Sequence, residues 1–184
     1  MFLFVGLGNY GDEYNNTRHN AGFIVVDNII QEYNFRSEGK KFHSELYSGS
    51  INCEKGYIIK PQTYMNRSGI AVCEISRFYK IPLNRIFVFH DDMDINLGKI
   101  KYKVGGSSAG HNGIKSIDEM IGKDYNRIRI GIGRPQYKDD VINFVLNRFT
   151  EDERIALENT STKIVNNANT LLNNINLFLT NIAK

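Results

Sequence analysis

The sequence predicts an α/β layered domain with a mixed, largely parallel central sheet. Three observations lead there. The runs Phe2-Leu3-Phe4-Val5 and Arg85–His90 are short and apolar through their centres, as strands buried on both faces are. Stretches with apolar residues at helical spacing alternate with such runs. Each run gives way abruptly to a polar loop, and in sheets of this kind ligands bind beyond the carboxyl ends of the strands.

The first strand, 2–5, opens into GLGNYGDEYNNTRHNAG, Gly6 to Gly22. Gly6, Gly8 and Gly11 spell G-x-G-x-x-G. A dinucleotide fingerprint also needs a helix opening at the second glycine and an acid about 20 residues on, at a strand end. Asp12–His19 is polar apart from Tyr14, and Asp27 falls inside the next helix, so the nucleotide reading is rejected. A polar loop remains, carrying Asn9, Tyr14, Arg18 and His19. Asn20 is placed to cap a helix over 21–33 whose apolar face is Val25, Val26, Ile29, Ile30 and Tyr33. Phe35–Lys41 reads as a polar connection. His43–Asn52 and Gly56–Lys60 read as strands joined by a turn near Glu54-Lys55, with Pro61 stopping the second. The loop PQTYMN leads into a helix over 68–80, striped by Ala71, Ile75, Phe78 and Tyr79. The strand 85–90 ends in Asp91-Asp92-Met93-Asp94. Lys99–Val104 alternates lysine with apolar residues, a strand with one wet, basic face. A small-residue loop from Gly105 to Gly113 precedes a short helix over 114–121, then a strand over 127–133. Helices follow over 139–146 and 150–182, the latter opened by Thr150 with Glu151, Asp152 and Glu153 in its first turn.

With no internal repeat and no linker, the chain, residues 1–184, is expected to form one domain. No apolar run approaches the ~20 residues of a membrane helix. The first strand starts without a basic leader, so no signal peptide is expected. Cys53 and Cys73 read as small core residues in a reducing compartment. Net charge is only +3, yet residues 96–138 hold nine Lys or Arg against three acids. That asymmetry points to a polyanionic partner, against the plainer reading of a solvated basic face.

His19 leads the candidates for chemistry, because it titrates near neutral pH and sits in a loop. His90 is expected to pack, and His43 begins a strand with no evident partner. His111 lies in the small-residue loop, where it can contact substrate. Asp91, at a strand end, is placed to fix the His19 tautomer and stabilise its imidazolium. The Asp91–Asp94 cluster lacks the spacing and turn glycine of a hard-cation loop, so a metal ranks below the dyad. No serine elbow or activated cysteine is present, so a hydrolase here has His19 activate water directly. Asn9, Asn66 and Asn112 are neutral donors and acceptors on three loops, suited to a carbonyl, a peptide unit or the attacking water. If the strands before them are parallel, Asn9, Asn66 and Asp91 emerge at one rim.

These residues resemble bacterial-type peptidyl-tRNA hydrolases. The matching blocks are GLGN-x-G-x-x-Y-x-x-TRHNAG, KPQTYMNRSG, HDDMD, GKIKYKVGGSSAGHNGIKSI and RIRIGIGRP, from Gly6 to Pro135 in the family's order. The resemblance implies one three-layer α/β/α domain, a monomer in the cytoplasm with no membrane attachment. It implies hydrolysis of the ester joining a peptide to the tRNA 3′ end, without metal or cofactor, which frees tRNA for reuse in translation. By matching position, His19 is the implied base, Asp91 its orienting partner, and Asn112 the residue that positions water or substrate. Asn9 and Asn66 are implied to bind the peptidyl part and the 3′-terminal region, and Tyr14 the tRNA 3′ end. Tyr64, Met65 and His111 are implied to line the cleft. Lys101, Lys103, Arg129 and Lys138 are the candidate tRNA contacts. Three departures stand out. Tyr10 replaces the usual Pro after GLGN, the loop GGSSAGHNG is less glycine-rich than usual, and Asp139-Asp140 follow Lys138 where some members carry another Lys. The competing function is an RNA-binding module on the same scaffold with hydrolysis lost. Such a module need not keep His19, Asp91 and Asn112 together.

Overall fold

Every residue of Phe2–Gly6 is buried, and the computed structural model, which describes residues 1–184, puts this run, β1, at the middle of a seven-stranded sheet. The others are β2 (Arg36–Lys41), β3 (Ser44–Ile51), β4 (Glu54–Pro61), β5 (Ile86–Asp92), β6 (Ile100–Val104) and β7 (Asn126–Gly131), in the order β2-β3-β4-β1-β5-β7-β6. β4, β1, β5 and β7 run parallel, while β2, β3 and β6 are antiparallel to their neighbours. The sheet is thus mixed and parallel at its centre, as expected.

Alternation along β1 assigns the two faces. Phe2 and Phe4 point into a core shared with α1 (Ala21–Glu32), α5 (Glu151–Asn166), α6 (Ala168–Asn173) and α7 (Ile175–Ile182). Leu3 and Val5 point into a second core, under α2 (Ser68–Phe78) and α3 (Asn112–Ile121). Helices therefore cover both faces. The remaining helix, α4 (Val141–Leu146), is short and has no buried residue.

Four features differ from the sequence-based expectation. Residues 36–41 are not a connection but the edge strand β2. It is exposed at every position, so it has no alternation to read, and its charges guard the sheet edge. The hairpin turns lie at Phe42-His43 and Asn52-Cys53, each with two positive φ angles, the two-residue turn whose twist suits hairpins. Cys53 is consequently exposed; only Cys73 is buried. His43 sits in a turn, and its ring lies 2.8 Å from the Glu74 carboxylate. The stretch 150–182 is three helices rather than one. Asn167 and Asn174 leave helical geometry at φ −116° and −154°, and Asn174 caps α7 by accepting from Leu177 N–H, a role asparagine favours over helix interiors. The Thr150–Glu153 capping box at the start of α5 is present as read.

Candidate active site

The parallel strands deliver their carboxyl ends to one rim. Asn9 follows β1, Asn66 follows β4, and Asp91 is the penultimate residue of β5, so all three line a single cavity of about 610 Å³ together with Tyr14, His19, Tyr64, Met65, His111 and Asn112. No helix opens at Gly8. The chain passes instead through two short 3₁₀ turns, Asp12–Tyr14 and Arg18–Asn20, which removes the N-terminus a pyrophosphate would need.

Asp91 is 2% exposed and sits between two imidazoles. Its Oδ2 lies 2.9 Å from His19 Nδ1 and its Oδ1 lies 2.8 Å from His111 Nε2. Burial works to raise the Asp91 carboxyl, but the two histidines outweigh it and hold it well below the usual carboxylate range. Burial also disfavours the His19 imidazolium, while the charge and hydrogen bond of Asp91 favour it by more, so His19 is raised overall. With Nδ1 committed to Asp91, His19 Nε2 has no protein partner and stays accessible at the cavity. His90 packs, as read. Burial lowers it to about 3, and its Nδ1–H donates to the Asp91 carbonyl.

Long-range contacts fix the His19 turn. Asn20 caps nothing with its side chain. It bonds the Asn9 backbone on both sides, accepting from N–H at 2.8 Å and donating to C=O at 2.9 Å. Arg18 forms a two-pronged pair with Glu153, donates to the Phe144 carbonyl and lies over the Phe144 ring at 4.2 Å. Gly22 lets the first turn of α1 press on the sheet, since a Cβ there would stand 2.2 Å from the Phe89 carbonyl oxygen and 2.6 Å from Leu7 N. The sequence reading missed the roles of Arg18, Asn20 and Glu153; the last two carried a cap signal that explained them locally.

The amides are aimed by elimination. Asn9 Oδ1 accepts from Met65 N–H at 2.7 Å, so Nδ2–H₂ is what Asn9 can offer a ligand. Asn66 is exposed and its side chain caps no helix. Asn112 is the first residue of α3, exposed at the cavity. Tyr64 holds φ 59°, ψ 160°, a region nearly reserved for glycine. Its ring stacks on Tyr10 at 4.4 Å and meets Tyr14 edge-on at 6.3 Å. Tyr10, the departure after GLGN, thus ties this loop to the loop that follows β4. Met93 and the α4 residues Val141, Ile142, Val145 and Leu146 add an apolar part to the cavity lining, which the sequence reading did not assign to the site.

His19, Asp91 and His111 bring ligand-type atoms within 4.8 Å of one another. Their hydrogen bonds argue against a metal. His111 Nδ1 accepts from Gly113 and Ile114 N–H, so Nε2 must carry the proton and has no lone pair for an ion. On the basic edge, Lys101 and Lys103 stand opposite Arg129 and Arg127 across the β6–β7 pair. Lys101 is exposed. Lys103 Nζ donates to the Ser107 carbonyl, and burial, then the Arg129 and Arg127 charges, lower it. Arg129 is engaged by Asp92 at 2.9 Å. Lys138 is exposed, in the 3₁₀ turn before α4. No helix is long and apolar enough to cross a membrane.

Comparison with known proteins places the chain in a family. The profile of a family described as Peptidyl-tRNA hydrolase matches residues 3–183. Peptidyl-tRNA hydrolase of Rickettsia bellii is 51% identical over 168 residues, 91% of each chain. That of Pelagibacter ubique is 49% identical over 167 residues, 91% of this chain and 90% of its own. The crystal structure of peptidyl-tRNA hydrolase from Acinetobacter baumannii superposes with a TM-score of 0.94 at 36% identity, covering 99% of this chain and 94% of that one.

Proposed function

Since the chain belongs to the peptidyl-tRNA hydrolase family, we propose that it cleaves the ester between a peptide and the tRNA 3′ end with His19 as general base and Asp91 as its orienter. The observation that carries this reading is the accessible Nε2 of a histidine whose Nδ1 is fixed on a buried carboxylate. Nε2 takes a proton from water as the water oxygen attacks the ester carbonyl carbon. Asp91 stabilises the imidazolium that forms. The tetrahedral intermediate then expels the ribose 3′ oxygen, which receives the proton back from Nε2. The products are a peptide carboxylic acid, which ionises, and tRNA with a free 3′ hydroxyl, ready for reuse in translation. Asn112 holds the water or the developing oxyanion. Asn9 Nδ2 and Asn66 hold the peptidyl and 3′-terminal parts, with Tyr14, Tyr64 and Met65 shaping the cleft beside them. Lys101, Lys103 and Lys138 meet tRNA phosphates, and Arg129 acts through its pair with Asp92. The chain works as one domain, a cytoplasmic monomer.

The test is turnover of an N-blocked aminoacyl-tRNA. His19→Ala should lose roughly 10²–10⁴-fold in kcat while still binding tRNA, and Asp91→Asn should lose less. The base must be neutral to act, so kcat/KM should fall as pH drops through the His19 pKa. That acid limb should lie above the ordinary imidazole value of 6.5, because Asp91 outweighs burial. Near-wild-type turnover by His19→Ala would overturn the assignment.

A further inference from the structure

Asp91 serves two rings, and the second is not free to rotate or to change tautomer. His111 caps α3: its Nδ1 accepts from the N–H of Gly113 at 3.1 Å and of Ile114 at 3.3 Å. That nitrogen therefore keeps its lone pair, and Nε2 donates to Asp91 Oδ1. The positive end of the α3 dipole stands behind the ring. Side-chain exposure is only 9% at His111 and 3% at Asp91, so water does little to dilute the contest for the carboxylate charge. We propose that His111 is a positioning residue that ties Asp91 to the first turn of α3 and, by sharing the carboxylate, keeps His19 a weaker base than an unshared His–Asp pair would be. The inference rests on the reading of His19 as the base.

Sharing has a use. A base works best when its pKa lies near the working pH, and an undivided Asp91 would leave more of His19 protonated and idle. The other charges around His19 are already engaged. At the end of β5 Asp92 is held by Arg129, in the turn beyond it Asp94 is held by Arg134, and within β5 His90 lies edge-on to His111 at 5.0 Å, neutral in its buried site. Below the His19 turn, Arg18 is held by Glu153. Helix α4 faces the cavity with apolar side chains, and Tyr14 and Tyr64 offer phenols.

Two substitutions separate the two bonds of His111. His111→Asn keeps an acceptor near the Nδ1 position for the α3 cap but falls short of Asp91. His111→Gln places an N–H near the Nε2 position for Asp91 but leaves the cap unmade. Three readouts apply to each full-length variant: the pH profile of kcat/KM, the His19 ring titration followed by NMR, and the thermal midpoint. His111→Asn should move the acid limb and the His19 titration up by on the order of half a pH unit to one unit, with the midpoint nearly kept. His111→Gln should lower the midpoint and leave the His19 titration near its wild-type position. A His19 titration unmoved or lowered in His111→Asn would overturn the inference, as would an equal upward shift in His111→Gln. The NMR titration is read without turnover. An active His19→Ala would therefore refute the base assignment, while the sharing of Asp91 stands or falls on the ring signals alone.

Discussion

At the scale of single residues, His90 makes the sharpest demand on solution behaviour. Its folded value of about 3 against 6.5 means that the unfolded chain takes up a proton below pH 6.5 that the folded protein refuses. Stability contributed by the neutral ring is complete above pH 6.5 and is lost as pH falls toward 3, at up to about 1.4 kcal/mol per unit. We expect the His90 ring signals to stay at their neutral positions between pH 8 and 5 while urea midpoints decline below pH 6.5. A His90 titration near 6.5 would contradict the buried geometry. The places of His19 and Asp91 at the cavity were legible in the sequence because His19 lies in the polar loop that follows the first apolar run and Asp91 stands where the run 85–90 ends. The bond from His111 to Asp91 was not, since it depends on the path of the 105–111 loop. Arg18 was equally opaque: its partner Glu153 lies 135 residues away, and the capping box accounted for Glu153 locally.

At the scale of elements, the His19 turn is only as well placed as the first turn of α1. Gly22→Ala would push a methyl against the Phe89 carbonyl oxygen and the Leu7 backbone, none of which can swing aside as a side chain would. We expect a loss of roughly 1–3 kcal/mol in urea unfolding, the usual cost of overpacking. We also expect a fall in kcat larger than any change in KM, because His19 moves with the turn. Unchanged kinetics would mean that the loop holds His19 independently of α1. Most elements could be read from their apolar residues, since β1 and β5 are continuous buried runs and α1 buries one face at helical spacing. The edge strand β2 could not, because exposure on both faces removes the pattern. The divided C-terminal helix could not either, because asparagine serves both interiors and caps, and only packing decides which.

At the scale of the whole molecule, the basic strand β6 lies at one edge of the sheet and the residues proposed for catalysis at its central rim, so binding of the tRNA body and cleavage should be separable. Lys101→Ala with Lys103→Ala should raise KM and leave kcat largely intact. The pair should also flatten the salt dependence of binding by roughly 0.7–0.9 for each phosphate that the protein no longer neutralises. Lys101 should account for more of the effect, because Lys103 already donates to Ser107. Steady-state kinetics and binding at two salt concentrations decide this, and an untouched salt slope would place the tRNA body on another surface. The sequence could assign strands but not their order, since nothing local announces that the first strand will be the middle one. That position also bears on how the chain is made. β1 pairs with β4 and β5, both of which are synthesised after it, so one edge of this apolar ribbon stays open until residue 61 has left the ribosome and the other until residue 92 has. At about 5–20 residues per second the wait lasts many seconds. The nascent chain must keep Phe2–Val5 out of foreign strands throughout that time, before both of its own neighbours exist.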